Sequence, residues 1–287
     1  MLSLSSSNKS SSSKYRRKKF TSIKSSLVLW VDFTDQRTVY SDDMSTNAVH
    51  NDTIYAVSNK AYDKRFGKED PNCLGTAYKQ TTADARPDFV STGSGHSYAF
   101  FNGGLDRLFA NKVQGNVALN KLSDSRVDSD NATVFMVVQN SSATPSEDNA
   151  LTIHSFDGVS GADPLTFGTQ SDNNYQVWAS DQSDKSSAVF TDSNEQATTS
   201  LEFWTIKLGT SGSSFFYRNG DTSDGTTTGL SKSHGYNLDT NNIQNLITIG
   251  HGNMGWTGRI YEILVYNEEL SNALIGQIEH QLKQKYI

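Results

Sequence analysis

The carboxylates of this sequence are the side chains best suited to catalysis. Glycoside hydrolysis uses two carboxyl groups placed about 5–9.5 Å apart, and two carboxylates at alternate positions of one strand come together on one face. No apolar run contains such a pair, since Glu202 and Glu262 are each alone in their runs, and Glu268 and Glu269 follow the last one. The sequence therefore predicts a strand-end hydrogen-bond acceptor at Glu262, and it does not predict an enzyme.

The sequence gives equally little evidence for other catalytic motifs. No Gly-x-Ser-x-Gly elbow occurs, and the six histidines lie on unrelated segments. The Gly-x-Gly pairs at 93–95 and 250–252 do not lead into a phosphate-binding helix. These glycines are interpreted as turns, and no nucleotide cofactor is expected.

A metal ion is the next chemistry to consider. Three acidic residues crowd one loop, and Asp32 and Asp35 follow the first apolar run. Calcium binds several such oxygens, but the spacing is not that of an EF-hand, and acidic loop residues are commonly just solvated. No cofactor is expected, and calcium is the ion that such ligands favour, with Asp124, Asp128 and Asp130 as its candidate ligands.

Sugar binding needs aromatic rings that stack on the sugar, together with amide or carboxylate groups from loops. Aromatic and amide residues near Gly- and Asn-rich turns meet this need, although each can equally be a partly buried residue of a sheet. In YQVWAS, Trp178 alternates with Tyr175, and the pattern favours Trp178 as the surface member. The candidate sugar-binding residues are Tyr175, Trp178, Tyr236, Asn253 and Trp256.

The charge is divided unevenly along the chain. The net charge is −6, but residues 1–27 carry seven Lys and Arg and no acid, which leaves 18 basic and 31 acidic residues elsewhere. The division predicts an extended basic, Ser-rich arm over 1–27 and a domain over 28–287. Phosphate neutralisation is one use of such an arm, and docking on an acidic protein, including a second copy, is another. The assembly residues of the arm are Lys14, Tyr15, Arg16, Arg17, Lys18, Lys19 and Phe20.

Several protein classes are disfavoured by composition. No apolar run approaches the roughly 20 residues of a membrane span. The five apolar residues of LVLWV are too few for the core of a signal peptide, so none is expected. A single cysteine, Cys73, excludes an internal disulfide framework.

The elements that must position these residues are mostly strands. Ten short apolar runs, separated by turn-forming residues, favour an all-β sandwich or jelly roll. Trp30 and Trp204 are expected to be core aromatics. Only the C-terminus shows helical spacing, from a cap at Ser271 through Leu274, Ile275, Ile278 and Leu282 to Lys285.

Five segments carry a family resemblance: LWVDFTDQRTV, RPDFV, AFFNGGLDRL, FWTIKLGTSGSSFFYRNGD and, above all, GWTGRIYEILVYNEELSNALIGQIEHQLKQKY. In these segments the chain resembles the laminin-G-like, concanavalin A-like jelly-roll domains found in phage structural proteins and bacterial extracellular proteins. It implies a concanavalin A-like sandwich that ends in a short helix. Such a fold hosts lectins, hydrolases, adhesion modules and virion components, so it does not by itself name a function.

The leading hypothesis is a virion structural protein, such as a capsid decoration protein, head fibre or tail component. In this hypothesis the arm binds other capsid proteins and the jelly roll is displayed at the virion surface, where it can bind a host glycan. A homo-oligomer is expected, nucleic acid is a less favoured partner, and no membrane is involved. The alternatives are a free carbohydrate-binding module and, least favoured, a polysaccharide-degrading enzyme.

Overall fold

The fold was described from a computed structural model of the 287-residue chain. The structure describes residues 26–61, 77–93, 95–110, 132–144, 148–154, 165–169, 174–179, 188–196, 198–208, 215–219, 246–250, 255–266 and 268–287. Within these ranges the chain forms two β-sheets and one C-terminal α-helix. The strands are β1 (Leu27–Asp32), β2 (Val39–Tyr40), β3 (Ala56–Ser58), β4 (Ala77–Lys79), β5 (Asp88–Val90), β6 (Tyr98–Asn102), β7 (Leu108–Ala110), β8 (Ala132–Asn140), β9 (Asp148–His154), β10 (Leu165–Thr169), β11 (Asn174–Ala179), β12 (Ala188–Gln196), β13 (Glu202–Leu208), β14 (Phe215–Arg218), β15 (Leu246–Ile249) and β16 (Thr257–Tyr266), and the helix is α1 (Asn272–Tyr286).

The described strands form a sheet of seven and a sheet of nine. The seven-stranded sheet runs β14-β13-β8-β16-β6-β5, and β1 pairs with the second half of β16 beside β6. The nine-stranded sheet runs β12-β11-β10-β9-β15-β7-β4-β3-β2. Every strand pair is antiparallel. The all-β sandwich with a C-terminal helix, predicted from sequence, is confirmed.

The seven-stranded sheet buries both of its faces. Alternate residues of β8 show this, because Met136 belongs to the core between the sheets whereas Phe135 and Val137 belong to a second apolar cluster. The second cluster also contains Ile278 and Leu282 of α1. Strand alternation therefore supplies two apolar surfaces, one covered by the nine-stranded sheet and one by the helix.

The helix begins where the sequence predicts. The Ser271 hydroxyl accepts a hydrogen bond from the Leu274 amide, as an N-cap should, and Ile275 and Ile278 are buried. The helix continues to Tyr286, one residue beyond the predicted Lys285. No described helix is long and apolar enough to span a membrane.

The two tryptophans predicted for the core differ in burial. Trp204 is buried between the sheets, as expected. Trp30 is only half-buried and packs against the cluster under the helix, because it alternates with the core residues Leu29 and Val31. The expectation for Trp30 is corrected accordingly.

The boundary between arm and domain needs one further correction. Leu27, assigned to the arm from sequence, is the first residue of β1, pairs with Tyr266 and is buried. Its apolar side chain belongs to the cluster under the helix. The assembly residues of the arm, 14–20, lie outside the described residues.

Burial of α1 should contribute measurably to stability. We predict that Ile278→Ala lowers the free energy of unfolding by about 2–5 kcal/mol, because Ile278 is fully buried between the helix and the sheet. The exposed neighbour Gln277→Ala is the matched control, with an expected change within about 0.5 kcal/mol. Urea unfolding followed by tryptophan fluorescence measures both, and equal effects would contradict this packing.

Candidate functional site

Two carboxylates that are distant in sequence meet beneath the end of α1. Asp32 of β1 pairs directly with Glu262 of β16, so both residues lie on the helix-facing side of the sheet. Lys285 Nζ lies 3.0 Å from Asp32 Oδ1 and 2.8 Å from Glu262 Oε2. A second carboxyl group therefore accompanies Glu262, supplied by another strand and not by its own.

Further polar groups complete this buried cluster. Lys60 Nζ donates to Asp32 Oδ2 at 2.8 Å and lies 3.3 Å from Asp35 Oδ2. Glu262 also accepts hydrogen bonds from Trp30 Nε1, at 2.7 Å, and from the Tyr286 hydroxyl, at 2.9 Å. Glu262 is thus a hydrogen-bond acceptor, as predicted, although it lies in the middle of a strand and not at its end.

The two carboxyl groups have pKa values displaced in opposite directions. Burial, with a smaller effect of the nearby Asp32, raises the pKa of Glu262 above its ordinary value. Burial acts on Asp32 as well, but the ammonium groups of Lys285 and Lys60 and several hydrogen bonds outweigh it and lower the pKa of Asp32. For Lys285, burial favours the neutral form, yet the two carboxylates raise its pKa overall.

Opposed pKa values in adjacent carboxyls are a pattern of acid–base catalysis, but burial assigns this pair another role. Asp32 and Glu262 are 4% and 3% exposed, and their oxygens already accept from side chains of the same chain. A sugar could reach them only if the end of α1 left the sheet. The cluster therefore attaches the C-terminal end of α1 to the seven-stranded sheet.

A different region gathers exposed polar side chains. Strand pairing brings the described ends of several strands together at one end of the sandwich: Asn102 opposes Thr257, Asn140 opposes Gly258, and Asp148 opposes Thr169. We call this region the loop end and define it by the described residues 102–107, 140–144, 198–201, 250 and 255–256.

Short side chains with hydroxyl and amide groups dominate the described surface of the loop end. Among the exposed residues that the structure describes at the loop end, Leu105 is the one large apolar side chain, with 60% exposure. The loops are held by local hydrogen bonds, such as Thr144 amide to Ser142 Oγ and Ser200 amide to Thr198 Oγ1. The exposed residues are Asn102, Gly104, Leu105, Ser141, Ser142, Ala143, Thr144, Thr199 and Ser200.

Beneath these loops lies a buried polar layer. Glu202, which is 1% exposed, accepts from Thr198 Oγ1, Arg218 Nη1 and Trp204 Nε1, each at 3.1 Å. The rings of Trp204 and Trp256 meet edge to face at 5.8 Å. The loops therefore rest on a layer fixed by charge-assisted hydrogen bonds and aromatic packing.

One predicted sugar-binding residue is wrong in the role assigned to it. Trp256 is fully buried against Trp204, so its ring cannot stack on a sugar from solvent. Gly250, directly after β15, has φ +81°, and its carbonyl accepts from the Trp256 amide. A Gly-rich turn next to an aromatic residue does not reveal whether the ring points out or in.

The other predicted residues are separated along their strand or undescribed. Tyr175 and Trp178 lie on β11, at positions that alternate between its faces. Tyr175 opposes Thr169 near the loop end, whereas Trp178 opposes Thr166 near the other end of the strand. Tyr236 and Asn253 lie outside the described residues.

The predicted calcium ligands, Asp124, Asp128 and Asp130, also lie outside the described residues. Within the described part of the chain, no group of three or more His, Cys, Asp or Glu side chains is arranged to hold a metal ion. Asp32 and Asp35, which were noted from sequence, bind Lys60 instead.

Comparison with known proteins adds information on the fold. A scan against protein-family models and a search of curated proteins both give no match. Among solved structures, a sialidase of Trypanosoma rangeli matches with a TM-score of 0.51 and 10% identity over 86% of this chain and 31% of the sialidase. The chain thus spans about a third of the length of that protein.

Two further matches have lower TM-scores. Domain 4 of an extracellular arabinanase from Geobacillus stearothermophilus matches with a TM-score of 0.45 and 10% identity, covering 88% of this chain and 98% of that domain. The binding domain of botulinum neurotoxin DC matches with 0.40 and 12%, covering 91% of this chain and 52% of that one. At these identities only the fold is shared, and the laminin-G-like resemblance stays a prediction.

The stability that the buried carboxyl pair contributes should depend on pH. The pKa of Asp32 is lower in the folded chain than in the unfolded chain, so the ionised carboxylate stabilises the fold. This stabilisation is complete at pH values above the unfolded-state pKa of about 3.9, and it is lost as pH falls through the folded-state pKa. The pKa of Glu262 is higher in the folded chain than in the unfolded chain, so the protonated carboxyl group stabilises the fold. This stabilisation is complete at pH values below the unfolded-state pKa of about 4.3, and it is lost as pH rises through the folded-state pKa.

We therefore predict opposite pH trends for two variants. Asp32→Asn should lower the free energy of unfolding by about 3–5 kcal/mol at pH 7, since it leaves the buried ammonium group of Lys60 without this partner, and its effect should shrink below pH ~4. The effect of Glu262→Gln should instead shrink as pH rises above ~4. Urea unfolding from pH 3 to 8 tests both, and parallel trends would contradict the assignment.

Proposed function

We propose that this chain is a glycan-binding β-sandwich domain and that the loop end is its binding surface. The observation that carries the proposal is the concentration of exposed hydroxyl and amide groups around the apolar Leu105, above a rigid buried layer. Sugars present hydroxyl groups and apolar C–H faces together. A surface with short hydrogen-bonding side chains and one apolar contact is chemically suited to them.

The buried layer beneath the loop end makes it a better candidate for ligand binding than an isolated patch of exposed polar side chains. Glu202 and Arg218 form a buried ion pair directly below, and Gln139 Nε2 donates to the Thr199 carbonyl at 2.7 Å. Binding to ordered loops costs less conformational entropy than binding to loops that must first be fixed. The surrounding residues therefore support recognition of a ligand without chemistry on it.

We also propose that the domain lacks glycosidase activity. The carboxyl pair Asp32 and Glu262 is buried and held by Lys285. At the loop end, Asp106 is 3% exposed and accepts from the Asn102 amide, and Glu202 below it accepts from Arg218, Trp204 and Thr198. A general acid must be able to reach the glycosidic oxygen, and none of these four carboxyl groups faces solvent.

Leu105 provides a direct test of the binding surface. We predict that Leu105→Asp reduces glycan affinity about ten-fold or more while leaving the melting temperature nearly unchanged, because the side chain is exposed. The test is a glycan array with neutral and sialylated members, including the nononic acid held by the T. rangeli sialidase structure. The control is Ile287→Asp, which changes an apolar side chain that is 92% exposed at the C-terminus. Equal binding by the two variants would remove Leu105 from the site.

For the whole chain we propose a virion structural role, in which residues 1–25 attach the domain to an assembly and the loop end faces outward. The support is the charge division, because a +7 segment beside a −13 body can bind an acidic protein surface or a second copy. Attachment of this kind is electrostatic, so salt should weaken it.

The arm can be tested by reversing its charge. We predict that replacing Arg16, Arg17, Lys18 and Lys19 with Glu, or deleting residues 1–25, abolishes self-association in analytical ultracentrifugation and incorporation into virus particles. The deletion stops before Leu27 so that β1 stays complete. Both variants should keep the wild-type melting temperature and glycan binding. A wild-type chain that stays monomeric at low salt and does not enter particles would overturn the assembly role.

A further inference from the structure

A row of side chains crosses four strands on the helix-facing side of the seven-stranded sheet. Strand pairing sets Gln139 of β8 opposite Arg259 of β16, and it sets Arg259 opposite Phe100 of β6. Phe100 in turn opposes Asp88 of β5. Directly opposed residues share a face of a sheet, so we call these four residues the outer strip. The strip adjoins the loop end, because Gln139 Nε2 donates to the Thr199 carbonyl at 2.7 Å.

The outer strip is open to solvent. Gln139, Arg259 and Phe100 are half-buried, and Asp88 is exposed. Phe100 rests with part of its surface against the apolar cluster under α1, and the remainder of its side chain is uncovered. A ligand therefore reaches the strip without displacing the helix or a loop.

Arg259 is held in place at the centre of the strip. Its guanidinium lies 4.8 Å from the centre of the Tyr98 ring, and its Nη1 atom donates to Gln139 Oε1 at 3.2 Å. The Tyr261 hydroxyl donates to the same oxygen at 3.0 Å, and the rings of Tyr98 and Tyr261 are 5.3 Å apart. Because these contacts order the guanidinium, binding to it costs little side-chain entropy.

Arg259 has no carboxylate partner in the described part of the chain, unlike several other cations of the domain. Lys60, Lys207 and Arg218 each pair with an Asp or Glu side chain. The described contacts of Arg259 are instead with the neutral Gln139 and Tyr98, and none of its nitrogens is enclosed without a partner. A guanidinium has more N–H groups than one amide oxygen uses. Arg259 therefore keeps donors on its solvent side, in the fork that binds two oxygens of an anion.

We propose that the outer strip binds an acidic sugar unit, with the anionic group on Arg259 and an apolar face of the sugar on Phe100. The inference rests on the proposed glycan-binding function, names the ligand class and extends the binding surface from the loop end onto the sheet. An anion gives Arg259 the charged partner that the described chain does not, whereas a neutral sugar leaves the cation unpaired. Carboxylate and sulfate groups share this chemistry.

Asp88 fixes the direction in which the ligand lies. Two strand spacings, about 10 Å in total, separate its position from that of Arg259, with Phe100 between them. The anionic group is repelled from the Asp88 end and attracted to the Arg259 end. Asp88 can accept only from hydroxyl groups, which the uncharged part of a glycan supplies.

The test uses the full chain and two ligands that differ in charge alone. An array of neutral, carboxylated and sulfated glycans identifies the strongest acidic ligand, and the methyl ester of a carboxylated glycan removes its charge. By calorimetry the wild type should bind the acid about ten-fold or more tightly than the ester, the value of a charge-assisted hydrogen bond. Arg259→Met, which keeps an apolar stem against Tyr98, should bind the two equally. The control Arg37→Met removes the same charge from a side chain that is 74% exposed, and it should keep the preference of the wild type.

The outcomes separate this inference from the proposed function. A preference for sulfated over desulfated glycan that is lost in Arg259→Met would support the strip and identify sulfate as the group bound. An acid preference that Arg259→Met retains, or a wild type that prefers neutral glycans, would overturn the strip while leaving glycan binding at the loop end intact. A wild type that binds no glycan would overturn both. Reduced self-association of Arg259→Met with unchanged glycan preference would assign the strip to a contact between copies and overturn the proposal.

Ionic strength provides a measurement on the wild type alone, so it does not depend on the folding of a variant. Added salt should weaken binding of the acidic glycan and leave binding of its ester nearly unchanged, because salt screens charges that are exposed to solvent. The same salt dependence for both ligands would contradict the proposal.

Discussion

One partly buried ammonium group joins the two ends of the domain. Lys285, near the end of the last helix, contacts a carboxylate of the first strand and one of the last strand. Breaking either contact leaves charge in an apolar setting, which costs more than the pair itself gains by forming. The position of α1 on the seven-stranded sheet depends on this group together with the buried side chains of Ile275, Ile278 and Leu282.

The two buried polar regions lie apart in the fold. The cluster of Asp32, Glu262 and Lys285 lies on the helix-facing side of the seven-stranded sheet, whereas Glu202, Arg218 and Asn140 lie at or beneath the loop end. The carboxylates of the first region accept from charged partners, whereas Arg107 Nε, Asn140 Oδ1 and Trp256 Nε1 in the second have no hydrogen-bond partner in the described part of the chain. Unsatisfied buried groups are tolerated where a ligand or water can complete them.

Sequence patterns predicted the elements better than the site. The ten apolar runs are all strands, because alternation and turn residues are local signals; six further strands of two to five residues were too short to show a period. The Asp32–Glu262 pair was missed because strand pairing, not spacing along one strand, brings the two residues together. Trp256 was misassigned because composition cannot tell which way a ring points out of a turn.

The pairing of β1 with β16 has a mechanical consequence. Tension on the chain before Leu27 acts along β1, and its antiparallel hydrogen bonds to β16 lie across that direction, so they bear the load together in shear and not one after another. At the far end of β1, Lys60 and Lys285 donate hydrogen bonds to Asp32, and these bonds oppose sliding of the strand. A domain pulled by its N-terminus would thus be held by the strand that its own last helix secures.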